Sequence, residues 1–329
     1  MKILAYNVRA DEAEYVKAWA AKNQVTVDMN QKDLTPETVK DAQDYDGVCA
    51  LQTSEYDPEV YTALMAYGIP QLAIRSAGFD GIDVAKAKAT GLKVTNVPAY
   101  SSSAIAEFSV QQALQLIRET PAFAKNVQAQ DFRWNGFISK ELNQLTVGVI
   151  GTGRIGKSAI DIYRGFGSKI VAYDLYPNEA LKPYVTYVDN LSELYAVADI
   201  ITLHAPATAE NHHLICQDSI AQMKNGVYIV NTARGSLIQT ADLIAGLDNG
   251  KIAGAALDTY ENEADYFGKD WSGKKITDPI LQELLHRDDV IVTPHVAFYT
   301  ETAVNNMVDI SLDSVKEVLE TGSSRNEIY

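Results

Sequence analysis

The strongest constraint on the fold is a buried-strand pattern, Thr146-Val147-Gly148-Val149-Ile150, that runs directly into Gly151-Thr152-Gly153-Arg154-Ile155-Gly156 and then a helical stretch through Tyr163. Strand, glycines and helix in that order commit the region to a βα unit of a parallel sheet. Gly151 permits the tight turn, Gly153 lets the backbone approach a pyrophosphate, and Gly156 lets the helix pack close to the strand. The helix N-terminus then offers N–H groups and its positive dipole end to phosphate. The next strand, Lys169 to Tyr173, ends in Asp174, where an acidic group accepts hydrogen bonds from an adenine ribose. It also repels a 2′-phosphate, and Leu175-Tyr176 brings no arginine to offset that repulsion, so NAD is expected rather than NADP. The alternative is a plain glycine turn followed by a capping aspartate.

The rest of the chain repeats the βα rhythm. A first series of β-rich runs covers Lys2 to Tyr6, Val25 to Asp28, Gly47 to Leu51, Gln71 to Ile74 and Lys93 to Val97. Thr35-Pro36-Glu37 and Asp57-Pro58-Glu59 each set a capping side chain before a proline, which predicts two helix starts. After the rigid turn Val97-Pro98-Ala99-Tyr100, a helix is expected from about Ser101 to Arg118, and a new domain with it. A second series, Thr146 to Ile150, Lys169 to Asp174, Asp199 to His204, Gly226 to Asn231, Ile252 to Asp258 and Val290 to Thr293, predicts six strands. The last amphipathic stretch, Glu301 to Leu319, is expected to pack back on the first domain. The fold class is therefore α/β, with two Rossmann-like or flavodoxin-like domains of parallel sheets. Residues 1–99, completed by 299–329, are expected to form a substrate domain, and 100–298 the NAD-binding domain, with a substrate cleft between them.

A chain of 329 residues is long enough for two cores, and 47% hydrophobic with 22% charged residues is an ordinary globular composition. The net charge of −15, without any Lys/Arg run, argues against nucleic acid or an anionic membrane as partner. An anionic substrate must then meet positive charge placed locally. The apolar start is too short for a signal peptide, no stretch is long enough to cross a membrane, and Cys49 and Cys216 form no metal-ligand spacing. Together these predict a cytoplasmic protein whose two cysteines are packing residues.

In an open parallel sheet ligands bind outside the carboxyl ends of strands. In the second series those ends yield Asp174, His204-Ala205-Pro206, Thr232-Ala233-Arg234, Asp258 with Glu261 and Glu263 just beyond, and His295. Such a set suits hydride transfer to a 2-oxo acid: an arginine clamps the carboxylate, and a histidine delivers a proton as hydride arrives. A neighbouring carboxylate would favour the imidazolium, which makes His295 beside Glu263 the candidate pair. His204 is the rival, since it too ends a strand. His286 lies in an ordinary charged helix. His212 and His213 are adjacent, which is expected to point their rings apart, and with Cys216 they make a poor metal site. On residues alone, Arg234 could equally sit in a surface ion pair and Glu263 be a solvated loop charge.

The strings N-V-P-A-Y-S at Asn96 to Ser101, G-T-G-R-I-G, N-T-A-R-G at Asn231 to Gly235, D-T-Y-E-N-E at Asp258 to Glu263 and T-P-H-V-A-F-Y-T at Thr293 to Thr300 resemble the D-isomer-specific 2-hydroxyacid dehydrogenases over nearly the whole chain. The branch most similar is that of bacterial D-lactate and D-2-hydroxyisocaproate dehydrogenases. The resemblance implies Arg234 as substrate clamp, Glu263 as partner of the histidine and His295 as proton donor. It puts cofactor contacts on Arg154, Ile155, Asp174, Ala205, Pro206, Asn211, Thr232, Ala233 and Asp258. Backbone N–H groups of Ala77 and Gly78 would meet the substrate carboxylate, and Tyr100 and Phe298 would line the pocket. A dimer is implied, formed largely by cofactor domains. Where D-lactate enzymes commonly carry tyrosine at the end of the third strand, this chain has Leu51, as the hydroxyisocaproate type does, which is expected to admit branched or aromatic 2-oxo acids. Leu51 could also be simple core. A phosphoglycerate enzyme would need cations for a phosphate, formate dehydrogenases pair the histidine with glutamine, and a non-catalytic NAD-sensing protein would not need the whole constellation.

Overall fold

The computed structural model describes residues 1–52 and 54–329. The chain divides into two compact units, Met1–Ser101 with Tyr299–Tyr329, and Ser102–Phe298.

In the first unit five strands, β1 (Lys2–Tyr6), β2 (Thr26–Met29), β3 (Gly47–Ala50), β4 (Gln71–Ile74) and β5 (Lys93–Thr95), form a parallel sheet in the order β2-β1-β3-β4-β5. Both faces are covered by helices, so the central strands are apolar throughout rather than alternating. Side chains of β1 still sort by parity. Ile3 and Ala5 join Val16 and Trp19 of helix Ala13–Asn23 and Val308, Leu312 and Val315 of helix Glu301–Thr321, whereas Leu4 and Tyr6 join Val60 and Leu64 of helix Pro58–Ala66. Each buried aliphatic or aromatic side chain here contributes about 1.5–3 kcal/mol relative to exposure. The terminal helix is capped by the Thr300 side chain at one end and by Gly322 at φ +81° at the other, and Asp313 accepts a 2.8 Å hydrogen bond from Trp19 Nε1.

Of the two predicted helix starts, Asp57 caps as expected, accepting from Glu59 N with Pro58 in the first turn. Thr35-Pro36-Glu37 does not open an α-helix. Thr38 Oγ1 donates to Asp33 O and accepts from Thr35 N, closing a tight turn, and only a 3₁₀ turn, Val39–Ala42, follows. Thr35 Oγ1 donates to Glu37 Oε2 at 2.7 Å instead of accepting from a helix N–H, and the chain re-enters the sheet at Gly47. The final residues, where the sequence offers no pattern, pair with β5: Glu327 bridges Thr95 antiparallel and Ile328 N donates to Val94 O at 3.0 Å.

The second unit has seven parallel strands, β6 (Thr146–Ile150), β7 (Lys169–Tyr173), β8 (Thr186–Tyr187), β9 (Ile200–Leu203), β10 (Val227–Asn231), β11 (Ile252–Leu257) and β12 (Val290–Val292), in the order β12-β11-β10-β9-β6-β7-β8. The six-strand expectation missed β8, whose two residues pair with Val171 and Ala172 and are too few to show a period. Helix Ser102–Ile117 lies along helix Arg154–Gly165, with Ala106, Val110 and Ala113 in one core with Val147, Val149, Ala159 and Tyr163. Strand order reverses between β6 and β9, the position where a doubly wound sheet opens a crevice for ligand. No helix among the described residues is long and apolar enough to cross a membrane.

Candidate active site

At the reversal point the glycines of the turn are required by contact distances. Gly151 has φ +92°, and a Cβ there would stand 2.7 Å from Ala205 N; a Cβ on Gly156 would stand 1.9 Å from Gly151 O. Gly153 faces open space and begins helix Arg154–Gly165 without a side-chain cap, so the first N–H groups of that helix keep their capacity for an anion. Arg154 stands exposed at this end and Ile155 is half-buried. Asp174 is aimed by the same turn: Oδ2 accepts from Thr152 N at 2.6 Å and Thr152 Oγ1 at 3.0 Å, and Oδ1 from Tyr176 N at 2.8 Å. Tyr187 of β8 donates to Thr152 Oγ1 at 2.9 Å. Thr152 was legible as the residue between two glycines; Tyr187 had no sequence signal.

The remaining strand ends complete a cradle that fits a dinucleotide. Ala205 and Pro206 follow β9, and Asn211 closes their loop by accepting from Thr208 N at 2.8 Å and donating to Pro206 O at 2.7 Å. At the end of β10, Thr232 Oγ1 is buried without a hydrogen-bond partner among the described residues, as expected of a hydroxyl waiting for a ligand. Asn231, fully buried, donates to Arg234 O at 2.8 Å and accepts from Ala233 N at 3.0 Å, so it shapes the turn that presents Arg234.

Glu263 and His295 meet: His295 Nδ1 lies 2.6 Å from Glu263 Oε1, while Glu263 Oε2 accepts from Tyr260 N at 2.9 Å. With Nδ1 engaged by the carboxylate, Nε2 is the ring nitrogen available for proton transfer. His295 has φ +56°, an uncommon conformation for a side chain of this size, and its N–H donates to Asp258 O at 2.8 Å. The Asp258 carboxylate, fully buried, accepts from Thr293 Oγ1 at 2.6 Å, Val296 N at 2.9 Å and Ala297 N at 2.8 Å. It thus builds the loop that carries the histidine. Phe298 places its ring edge-on to His295, centroids 6.5 Å apart.

The rival histidine is differently placed. His204 Nε2 contacts Thr202 Oγ1 at 3.0 Å, and burial pushes the imidazole down to about 4. A ring that stays neutral at ordinary pH is a poor proton donor. His212 and His213 correct the expectation of diverging rings: their centroids are 3.8 Å apart, because His213 adopts φ +55° and turns its side chain back beside its neighbour. No group of metal-ligating residues occurs among the described residues. Cys216 stands at the start of helix Gln217–Gln222, where its N–H donates to Ser219 Oγ at 2.9 Å, and Cys49 is buried core.

In the first unit, Arg75 is fully buried, donating through Nη2 to Tyr6 O at 3.0 Å and Asn7 O at 2.9 Å, with Glu12 Oε2 at 3.5 Å. It anchors the loop that follows β4. There three consecutive carbonyls are tied back: Ser76 O accepts from Val97 N at 2.9 Å, Ala77 O from Asn96 Nδ2 at 2.7 Å and Gly78 O from Ser76 Oγ at 2.7 Å. With its oxygens so committed, the loop has its N–H groups to offer to an anion. Leu51, half-buried, follows directly on β3 at the switch point of this sheet, and the half-buried Tyr100 accepts at its carbonyl from Asn306 Nδ2 at 2.7 Å. Sequence reading missed Glu12, Arg75 as an anchor, and Asn96 as a support, because each acts on residues distant in the chain.

A doubly wound unit with a glycine turn, a ribose-side aspartate and a histidine–carboxylate pair at strand ends defines an NAD-dependent oxidoreductase. Residues 110–297 match the family described as D-isomer specific 2-hydroxyacid dehydrogenase, NAD binding domain. The chain belongs to this family, and it is an NAD-dependent oxidoreductase of D-2-hydroxy acids. It is 50% identical over 329 residues to a D-lactate dehydrogenase of Lactiplantibacillus plantarum, spanning 100% of this chain and 99% of the relative. Among solved structures it is similar to a D-lactate dehydrogenase from Treponema pallidum (TM-score 0.90, 43% identity, 100% of both chains) and to a D-2-hydroxyisocaproate dehydrogenase (TM-score 0.91, 41% identity, 100% and 99%).

Proposed function

We propose that the chain reversibly reduces 2-oxo acids, pyruvate and larger branched or aromatic ones, to D-2-hydroxy acids, consuming NADH and one proton per turnover. The observation that carries this reading is the 2.6 Å contact between His295 Nδ1 and Glu263 Oε1. Bound NADH supplies a hydride to the carbonyl carbon. His295 gives its Nε2 proton to the carbonyl oxygen, and Glu263 stabilises the imidazolium before transfer. Arg234 holds the carboxylate through its planar fork, with the N–H groups of Ala77 and Gly78 as further donors. The turn at Gly151, Gly153 and Gly156, with Arg154, Ile155, Asp174, Ala205, Pro206, Asn211, Thr232, Ala233 and Asp258, is assigned to the cofactor by resemblance, most of it by contact and Asp258 through the loop it builds. Two free thiols suit work in the cytoplasm.

Leu51, Tyr100 and Phe298 are assigned to the substrate side chain. A leucine at the end of β3 favours bulk over pyruvate alone, with a discrimination of about 1–3 kcal/mol per methylene-sized change. The test is NADH oxidation with pyruvate, 2-oxoisocaproate and phenylpyruvate, for the wild type and Leu51→Tyr. The expected result is activity on all three, with the substitution shifting kcat/KM toward pyruvate. Wild-type preference for pyruvate that the substitution leaves unchanged sinks the broad-pocket reading in favour of a strict D-lactate enzyme. NADH binding without turnover on any oxo acid would leave only a sensor.

The active form is proposed to be a homodimer. Support comes from Phe132, Trp134 and Ile138, 70%, 75% and 94% exposed on a segment without regular structure in the cofactor-binding unit. Sedimentation of Trp134→Ser with Ile138→Ser should show a monomer where the wild type runs as a dimer. A wild-type monomer, or a variant that stays dimeric, counts against this surface.

A further inference from the structure

The groups assigned to chemistry in the second unit sit on two turns, one after β10 carrying Arg234 and one after β11 carrying Glu263. These turns touch at the backbone: a Cβ on Gly235 would stand 2.2 Å from the Tyr260 carbonyl carbon and 2.5 Å from Glu261 N. Contact alone does not fix their register. A second carboxylate spans them. Glu261 Oε2 accepts from both Thr240 N, at 2.9 Å, and Thr240 Oγ1, and Glu261 Oε1 meets His213 Nε2 at 2.7 Å. Thr240 opens the helix Thr240–Asp248 just after the Arg234 turn, and His213 N donates to Ser236 O of that turn at 2.8 Å. One side chain therefore ties segments 211–215, 236–240 and 258–263 together, two residues before Glu263.

His213 holds a left-handed backbone conformation in this arrangement, with φ +55°, which persists only where surrounding bonds over-determine it. Its N–H and its ring are both engaged in the clamp. Both members of the pair are half-buried, at 29% and 24% side-chain exposure, comparable to His295 and Glu263 at 34% and 22%.

We propose that His213 and Glu261 are positioning residues: a second histidine–carboxylate pair that does not react but holds Glu263 in register with the Arg234 turn and so sets the alignment of His295. This rests on the function proposed above. A merely structural pair would lower stability and leave turnover per folded molecule intact, so the test separates the two. Glu261→Gln turns an acceptor toward the Thr240 or His213 donor into an amide N–H₂. His213→Ala removes the clamp, and His213→Gln retains an amide donor that can reach Glu261.

The measurements are kcat and KM for pyruvate at saturating NADH, NADH Kd by fluorescence titration, and the thermal unfolding midpoint. Glu261→Gln and His213→Ala are expected to lower kcat about tenfold or more, as displacements of an ångström do in aligned sites, with NADH Kd within about twofold of wild type. His213→Gln should recover most of the loss. Wild-type kcat in the folded variants, NADH affinity falling in step with kcat, or a His213→Gln no better than His213→Ala each overturns the proposal. If Glu261→Gln does not fold, the two His213 variants decide. His295→Gln, assayed alongside, distinguishes the failures. If it keeps wild-type activity, the assigned chemistry is wrong. If it is inactive while the clamp variants are fully active, only the clamp is.

Discussion

Replacing His295 with glutamine is expected to lower kcat for oxo-acid reduction by about 10²–10⁴-fold, the ordinary contribution of a positioned proton donor. Glutamine is close in size and carries an amide N–H that can still reach Glu263 Oε1, now 2.6 Å from the imidazole, so the loop has little cause to rearrange. What glutamine cannot do is give up a proton. NADH binding should be preserved, since the phosphate-facing turn and Asp174 follow β6 and β7, whereas His295 follows β12. Steady-state rates with pyruvate and a fluorescence titration with NADH check both halves. The sign with pH is fixed by stoichiometry: reduction draws on the protonated donor and weakens as pH rises, and oxidation of the hydroxy acid, which needs the neutral base, strengthens. Activity within tenfold of wild type, or profiles flat in both directions, would falsify the assignment. His204 would not rescue it, because burial keeps that ring neutral, with a pKa of about 4.

The parts of this molecule that were legible in the sequence are those written in local order. Strands buried on both faces read as short apolar runs, and the glycine turn announced β6, its helix and Asp174 at the end of β7 together. Local rules also produced the errors. Thr35-Pro36 obeys the helix-opening pattern, yet the Thr35 and Thr38 hydroxyls are spent on a local turn and only a 3₁₀ turn follows. Alternation of adjacent side chains put the rings of His212 and His213 apart, and a single positive φ reversed it. Contacts across the chain were invisible: Asn96 on the Ala77 carbonyl, Glu12 beside Arg75, His213 on Glu261. These contacts join segments far apart in sequence, whereas the residues assigned to react stand at strand ends, where position in the pattern already singled them out.

Asp258 is where that hidden layer is expected to matter most. Its carboxylate is fully buried and meets three donors of the loop carrying His295: Thr293 Oγ1 and Val296 N on one oxygen, Ala297 N on the other. Thr293 Oγ1 itself accepts from Gln112 Nε2 at 3.2 Å, so its own hydrogen is directed at Asp258. Asp258→Asn preserves shape but only one acceptor oxygen. Whichever way the amide is turned, its N–H₂ faces a donor, either Ala297 N–H or the Thr293 and Val296 pair. An unsatisfied buried group of this kind costs about 1–3 kcal/mol, so the unfolding midpoint should fall. The larger loss should be in turnover. The φ of +56° at His295 is held by the Asp258 carbonyl below and the carboxylate ahead, and release of either lets the backbone relax to negative φ and swing the imidazole from Glu263. A decrease in kcat of about tenfold or more is expected, beyond any change in the folded fraction. Thr293→Val is the graded comparison: it removes one donor, leaves both oxygens of Asp258 on backbone N–H groups, and should cost less in both measures. If Asp258→Asn loses stability but turns over at the wild-type rate, the loop is a structural element that the histidine happens to occupy, and its geometry is not what aligns the proton donor.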